Sequence, residues 1–224
     1  MKMPTCDSCK IRACVLRPEE RAEKKLPLNC PMHDGDYMKE IKAAYQEPEV
    51  NPFYVATKTG RAYPKPKGHT PRMRTVIDFM KRMEYKKIGL AFCVGFHDEA
   101  AQYAKILRRF GFEVVSACCC NGGFSIADHG CPLPKGCDFD AACNPLGQAE
   151  LLNREKVEFN LVMGLCGGHD SLFIKNAEAM STMIVVKDPA TGHCPPMALY
   201  LYDQYFSDWF IPEEEESNEV LPVE

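Results

Sequence analysis

The chain has 224 residues, 46% of them hydrophobic and 26% charged, with a formal net charge of −4. That length suits one sizeable domain with an appendage or two small ones, and the composition is that of a globular chain. The mild negative charge gives no basic footprint for nucleic acid, no apolar run reaches the length of a membrane span, and the opening MKMPTCDSCKIRAC lacks the apolar core of a signal peptide.

These exclusions predict a cytoplasmic protein, and the compartment decides how its 13 cysteines are read. In a reducing environment thiols serve as metal ligands or catalytic groups sooner than as disulfides. An odd number also rules out complete pairing within one chain.

Residues 1–35 form a cysteine-bearing head with little periodic pattern. Cys6 and Cys9 make a C-x-x-C pair, Cys14 follows, and Cys30 opens CPMHDG, with His33 as an alternative ligand. Such a pair lets two thiolates of one tight turn grip one metal. A stretch with almost no core needs a staple, and zinc or a [4Fe–4S] cluster would supply it. Residues 36–85 read as a helical connector. DGDYMKEIKAAYQE (34–47) has apolar residues at helical spacing, and a Pro-, Lys- and Gly-containing link covers 48–69. TPRMRTVIDFMKRMEYK then predicts a helix with Thr70 as N-cap, Pro71 in its first turn, and Met73, Val76, Ile77, Met80 and Met83 on its buried face.

From residue 86 strands and helices alternate. Strands are expected over 86–95, 112–119, 157–166 and 181–188, and helices over 97–111, 145–156, 169–178 and 195–210. The alternation predicts an α/β domain over 86–210, with about four mostly parallel strands and flanking helices in a Rossmann-like arrangement. The glutamate-rich residues 211–224 read as an acidic, solvated tail.

In open parallel sheets, ligands bind at the carboxyl ends of the strands near a change in strand order. Cys93 ends the first expected strand, Cys118, Cys119 and Cys120 end the second, Cys166 ends the third and Cys194 follows the fourth. Cys131, Cys137 and Cys143 lie between the second and third. Cysteines used merely as small core residues would not favour one edge. Successive side chains of a strand point to opposite faces, so Cys118–Cys120 cannot all face one partner unless the strand has already ended, and one or two of them are expected to reach a shared site. Small apolar residues ending a buried strand remain the plain alternative for each. Donors spread over four βα connections suit an object larger than one ion, which favours an iron–sulfur cluster over zinc. Gly95, Gly122, Gly123, Gly167 and Gly168 would let backbone approach a bulky cofactor. Whether Cys120, Cys131, Cys137 and Cys194 are ligands stays open.

IGLAFCVGFHDEA and LVMGLCGGHDSLF form a weak repeat in which an apolar strand ends in Cys, then Gly, then His-Asp opening a helix. His97 and His169 are placed for proton transfer or substrate contact, with capping or packing as the alternative. Asp98 and Asp170 read as N-caps. No G-x-G-x-x-G or P-loop follows any strand, so nucleotide binding gains no support.

Together, CDSCKIRAC, GLAFCVGFHDEA, CNPLGQAELLN, FNLVMGLCGGHDSLF and VVKD resemble an uncharacterised bacterial and archaeal family of predicted metal-binding proteins, a domain of unknown function common in anaerobes. The resemblance runs from Cys6 to about Tyr202. It implies metal ligation and supplies no substrate or reaction. In that family the second strand ends in one or two cysteines followed by lysine, which favours Cys118 and Cys119 over Cys120. The expected ligands are therefore Cys6, Cys9, Cys14 and Cys30 in the head, and Cys93, Cys118, Cys119, Cys143 and Cys166 at the strand tips. Three functions compete: a redox or lyase-type iron–sulfur enzyme, a non-catalytic zinc-binding, electron-transfer or metal-carrier protein with a redox partner, and sulfur transfer through the adjacent thiols of Cys118 and Cys119.

Overall fold

The computed structural model describes residues 3–59 and 70–210. The chain divides into two compact units, Met1–Pro66 and Lys67–Glu224. The expected acidic tail and the last ten residues of the 48–69 link lie outside the described residues.

The described residues of the first unit hold three helices, α1 (Pro18–Ala22), α2 (Gly35–Ala44) and α3 (Asn51–Thr59), with single 3₁₀ turns at Cys6–Ser8, Ala13–Val15 and Pro31–His33. The Asp34 carboxylate accepts the Tyr37 N–H at 2.9 Å and starts α2. α3 lies within a segment whose composition reads as a link. Pro52 falls in its first turn, where a missing N–H costs no helical hydrogen bond. Among the described residues of this unit only Ala13 and Ala56 are buried. The helical apolar spacing of Tyr37, Ile41 and Tyr45 builds no core, for all three stay at least 40% exposed.

The second unit opens with α4 (Arg72–Arg82). Val76, Ile77 and Met80 are buried as the spacing predicts, and Arg72 reaches across to the Met183 carbonyl at 2.6 Å. The helix start differs from expectation. Pro71, extended at φ −57° and ψ 146°, is the cap residue, and no side chain caps the first turn.

There follow β1 (Lys87–Phe92), α5 (His97–Arg109), β2 (Glu113–Cys118), α6 (Pro145–Arg154), β3 (Phe159–Met163), α7 (His169–Asn176), β4 (Ser181–Val185) and α8 (Pro196–Tyr200). The four strands form one sheet in the order β2-β1-β3-β4, and every pairing is parallel. This is the α/β class that the alternation predicts. β1 and β3 are the inner strands, and Ile88, Leu90, Leu161 and Met163 are fully buried there. Such near-continuous burial is what helices on both faces of a parallel sheet require. The chain runs outward from β1 to β2, returns past β1 to β3, and continues to β4. The strand order therefore reverses between β1 and β3, where doubly wound sheets bind their ligands.

The expected amphipathic helix over 195–210 does not form as one piece. α8 has five residues, and a short 3₁₀ turn, Ser207–Phe210, ends the described chain. Tyr200, Tyr205 and Trp209 are 71–80% exposed, and Phe206 alone in this segment is buried. Aromatic side chains lose rotamer freedom in a helix, and no single buried face offsets that loss. No helix among the described residues is long and apolar enough to cross a membrane.

Candidate metal centre

At the β1/β3 switch point a tight cavity is lined by Cys93, Cys119, Cys143, Pro145, Gln148, Leu165, Cys166 and His169. Each cysteine reaches it for a local reason. Cys93 directly follows β1, and its N–H donates to the Met163 carbonyl of β3 at 3.0 Å. Cys119 follows β2 and donates its N–H to the Phe92 carbonyl at 2.8 Å. It lies in the turn just past β2, and its sulfur accepts the Val94 N–H at 3.2 Å. The lining includes Cys119 but neither Cys118 nor Cys120, although the Cys120 sulfur lies 3.7 Å from that of Cys119.

Cys143 belongs to the long β2–α6 connection and is carried to the site by its neighbour. Asn144 donates its N–H to the Cys119 carbonyl at 2.6 Å. Its side chain accepts the Gly147 N–H at 2.8 Å and donates to Asn121, so one residue caps α6 and ties it to the end of β2. Pro145 occupies the first turn of α6. One turn on, the fully buried Gln148 donates through Nε2 to the carbonyls of Phe92 and Ala117, at 3.1 and 2.7 Å.

Cys166 follows β3 through Gly164, whose φ is +66° and where a Cβ would overlap the Phe96 ring. A side chain there would push the turn away from the sheet. Gly168, at φ +88°, then turns the chain into α7 and is its cap residue. This left-handed turn moves Asp170 into the first helical turn, where its carboxylate accepts the N–H groups of Gly168 and Ser171 at 3.1 and 2.7 Å. Asp98 likewise lies inside the first turn of α5, which Phe96 caps without a side-chain bond. Neither aspartate is the N-cap residue that the sequence suggests.

Cys143, Cys166 and His169 offer donor atoms that all lie within 4.8 Å of one another, a group that could hold a metal ion. Among the described residues no other three Cys, His, Asp or Glu side chains are so close. The His169 Nδ1 is buried without a hydrogen-bond partner among the described residues. An unpartnered buried nitrogen beside thiols is suited to metal coordination, since soft thiolate and imidazole donors bind zinc or iron. The Gln148 Oε1 is unpartnered too.

The repeat is unequal in outcome. His169 lines the cavity, whereas His97 is exposed, with Nδ1 3.6 Å from Asp98. Gly95, Gly122, Gly123 and Gly167 are exposed, and none of these glycines belongs to the lining. Cys131, Cys137 and Cys194 are exposed. In the first unit Cys6 and Cys14 are exposed and Cys9 and Cys30 half-buried. The Asn29 amide there donates to the Met3 carbonyl and the Thr5 hydroxyl, tying the residues before Cys6 to those before Cys30.

One participant escapes sequence reasoning. Lys187, just beyond β4, donates from its ammonium to the Cys93 sulfur at 3.2 Å and to the Cys166 sulfur at 3.5 Å. Burial pushes the Cys93 thiol up, but the Gly95 N–H, the Lys187 ammonium and the Cys119 thiol outweigh it and hold Cys93 below the ordinary cysteine value. Burial raises Cys119, reinforced by Cys120, Cys143 and Cys93 and opposed by the Val94 N–H. Cys143 is raised by burial and by the charges of Cys166, Cys120 and Cys93, against the hydrogen bond from Cys119. The hydrogen bond to Cys93 raises Lys187, against its own burial.

Fold and site together define a cysteine-rich, parallel α/β protein whose strand tips gather a thiol and imidazole group able to hold a metal. Residues 30–184 match the model of the family described as "Protein of unknown function (DUF1847)", and the chain belongs to that family. The matched span contains Cys93, Cys119, Cys143, Cys166 and His169, begins beyond Cys14 and ends before Lys187. An uncharacterized protein of Methanocaldococcus jannaschii is 44% identical over 131 residues, which are 58% of this chain and 66% of that protein, just under two thirds of its length.

Proposed function

We propose that the protein is an iron–sulfur metalloprotein with its principal centre at the strand tips, held by Cys93, Cys119, Cys143 and Cys166. The observation that carries this reading is the lining of one cavity by four cysteines, brought there by the tips of β1, β2 and β3 and the connection into α6. Lys187 joins two of their sulfurs, those of Cys93 and Cys166. A structural zinc ion usually takes its thiolates from closely spaced pairs. Four thiolates delivered by separate connections suit an iron–sulfur cluster, which supplies one-electron chemistry when bound.

The protein's own groups divide the remaining work. His169 stands beside the ligands for proton transfer or for an exchangeable coordination position, which would mark redox or lyase-type catalysis. Ligation by all four thiolates would instead mark electron transfer to a partner protein. Cys118 would join only if the end of β2 turned. Cys6, Cys9, Cys14 and Cys30 would form a second site in the head, a reading supported by the C-x-x-C turn and the Asn29 tether. The close group of Cys143, Cys166 and His169 favours a second reading, in which these residues hold zinc with one further thiolate.

The test is purification without oxygen, with iron, acid-labile sulfide, zinc and the visible spectrum measured together. Iron and sulfide in equal amounts, with broad absorbance bleached by dithionite, is the expected result. Zinc alone with a featureless visible spectrum would overturn the iron–sulfur reading and leave the zinc site.

A further inference from the structure

Lys187 lies on the last strand's exit, in VVKD, where a lysine would ordinarily be a solvated surface charge. Here it is half-buried, and among the described residues no carboxylate pairs with it. Its ammonium meets two sulfurs instead, one from each strand flanking the switch point. We infer that Lys187 is a positioning residue that sets the reduction potential of the strand-tip centre, its ammonium holding the sulfurs of Cys93 and Cys166 and favouring the reduced state.

The inference rests on the iron–sulfur reading. A cluster's potential depends on net charge, solvent exposure and hydrogen bonds to its sulfurs. One-electron reduction places extra negative charge on the core and its thiolate ligands. A fixed positive charge within hydrogen-bond distance of two of those sulfurs stabilises the reduced state more than the oxidised one, and partial burial keeps salt from screening it. The couple consumes one electron, supplied by an electrode, and Lys187 keeps its proton in both states. No other lysine or arginine among the described residues bonds a cysteine sulfur, so removing this one leaves the site without that compensation.

The experiment measures the midpoint potential, at one fixed pH, of the full-length wild type and of the K187M, K187Q and K187R variants, each with iron and sulfide determined. Met removes both the charge and the donors, Gln keeps an N–H donor without the charge, and Arg keeps the charge. The expected result is a shift to more negative potential in K187M and K187Q, and a value near wild type in K187R. A purely structural lysine would alter cluster content without moving the potential of the loaded fraction. Potentials of both neutral variants indistinguishable from wild type would overturn the inference. Failure of both neutral variants to take up iron while K187R loads would also overturn it, assigning Lys187 to assembly. Wild-type protein without iron and sulfide would fail at the earlier step, and a loaded wild type with unshifted variants would fail only here.

Discussion

Among the thiols that line the cavity, Cys93 and Cys119 are both buried, yet their acidities diverge. Each sulfur has a backbone N–H beside it, but at Cys119 burial dominates and neighbouring thiols reinforce it, whereas Cys93 also has the Lys187 ammonium to offset its burial. A lowered thiol value means more thiolate at a given pH. In metal-free, reduced protein, the part of the 240 nm thiolate absorbance lost in C93S should therefore appear at lower pH than the part lost in C119S. Observing the reverse order would contradict this account. Gln148 gives a second residue-scale prediction. Q148L would strip the Phe92 and Ala117 carbonyls of a buried donor, costing about 1–3 kcal/mol in urea unfolding. The cysteines and His169 are legible in the sequence because their chemistry is rare and they follow apolar runs. Lys187 and Gln148 are not, because Lys after a strand and Gln on a helix are common types whose role depends on distant partners. For Lys187 the partner Cys93 is 94 positions away.

At the scale of elements, each strand tip needs a device that aims its thiol. For Cys143 it is Asn144, whose side chain caps α6 while its N–H holds the end of β2. N144A should cost about 0.5–2 kcal/mol of stability, as N-cap losses do. It should also lower bound metal, measured on folded protein, although every ligand remains. For Cys166 the device is Gly164, and G164A should destabilise by more than about 1 kcal/mol, because an alanine would meet the Phe96 ring in a left-handed backbone. Thermal unfolding would check it. The strands and the helices between them can be read from periodicity, since each apolar face packs on its neighbours. The 195–210 segment cannot. Its aromatic residues follow a helical spacing, but most of them remain in solvent and the spacing has no packing to enforce it. In the first unit, α3 is hidden by a composition that resembles a link.

For the molecule as a whole, the two units differ in how much core they bury. The second has an inner pair of strands buried at every position but Lys87, whereas the first buries only Ala13 and Ala56 among its described residues. If thiolate ligation staples the head, anaerobic chelation should expose residues 3–59 to protease first and leave the sheet domain resistant. Equal resistance of both units before and after chelation would refute the staple.

The cavity is assembled from the tips of β1, β2 and β3 and the connection into α6, with Lys187 arriving after β4. No short segment contains it. During synthesis the first thiol emerges long before the ammonium that will bond it, and the intervening strands must find their registers before the sulfurs face one another. A truncated or misregistered copy therefore presents scattered thiols and no centre. A metal held at this place would be captured late in the life of the chain, and its presence would report that the whole sheet has been built.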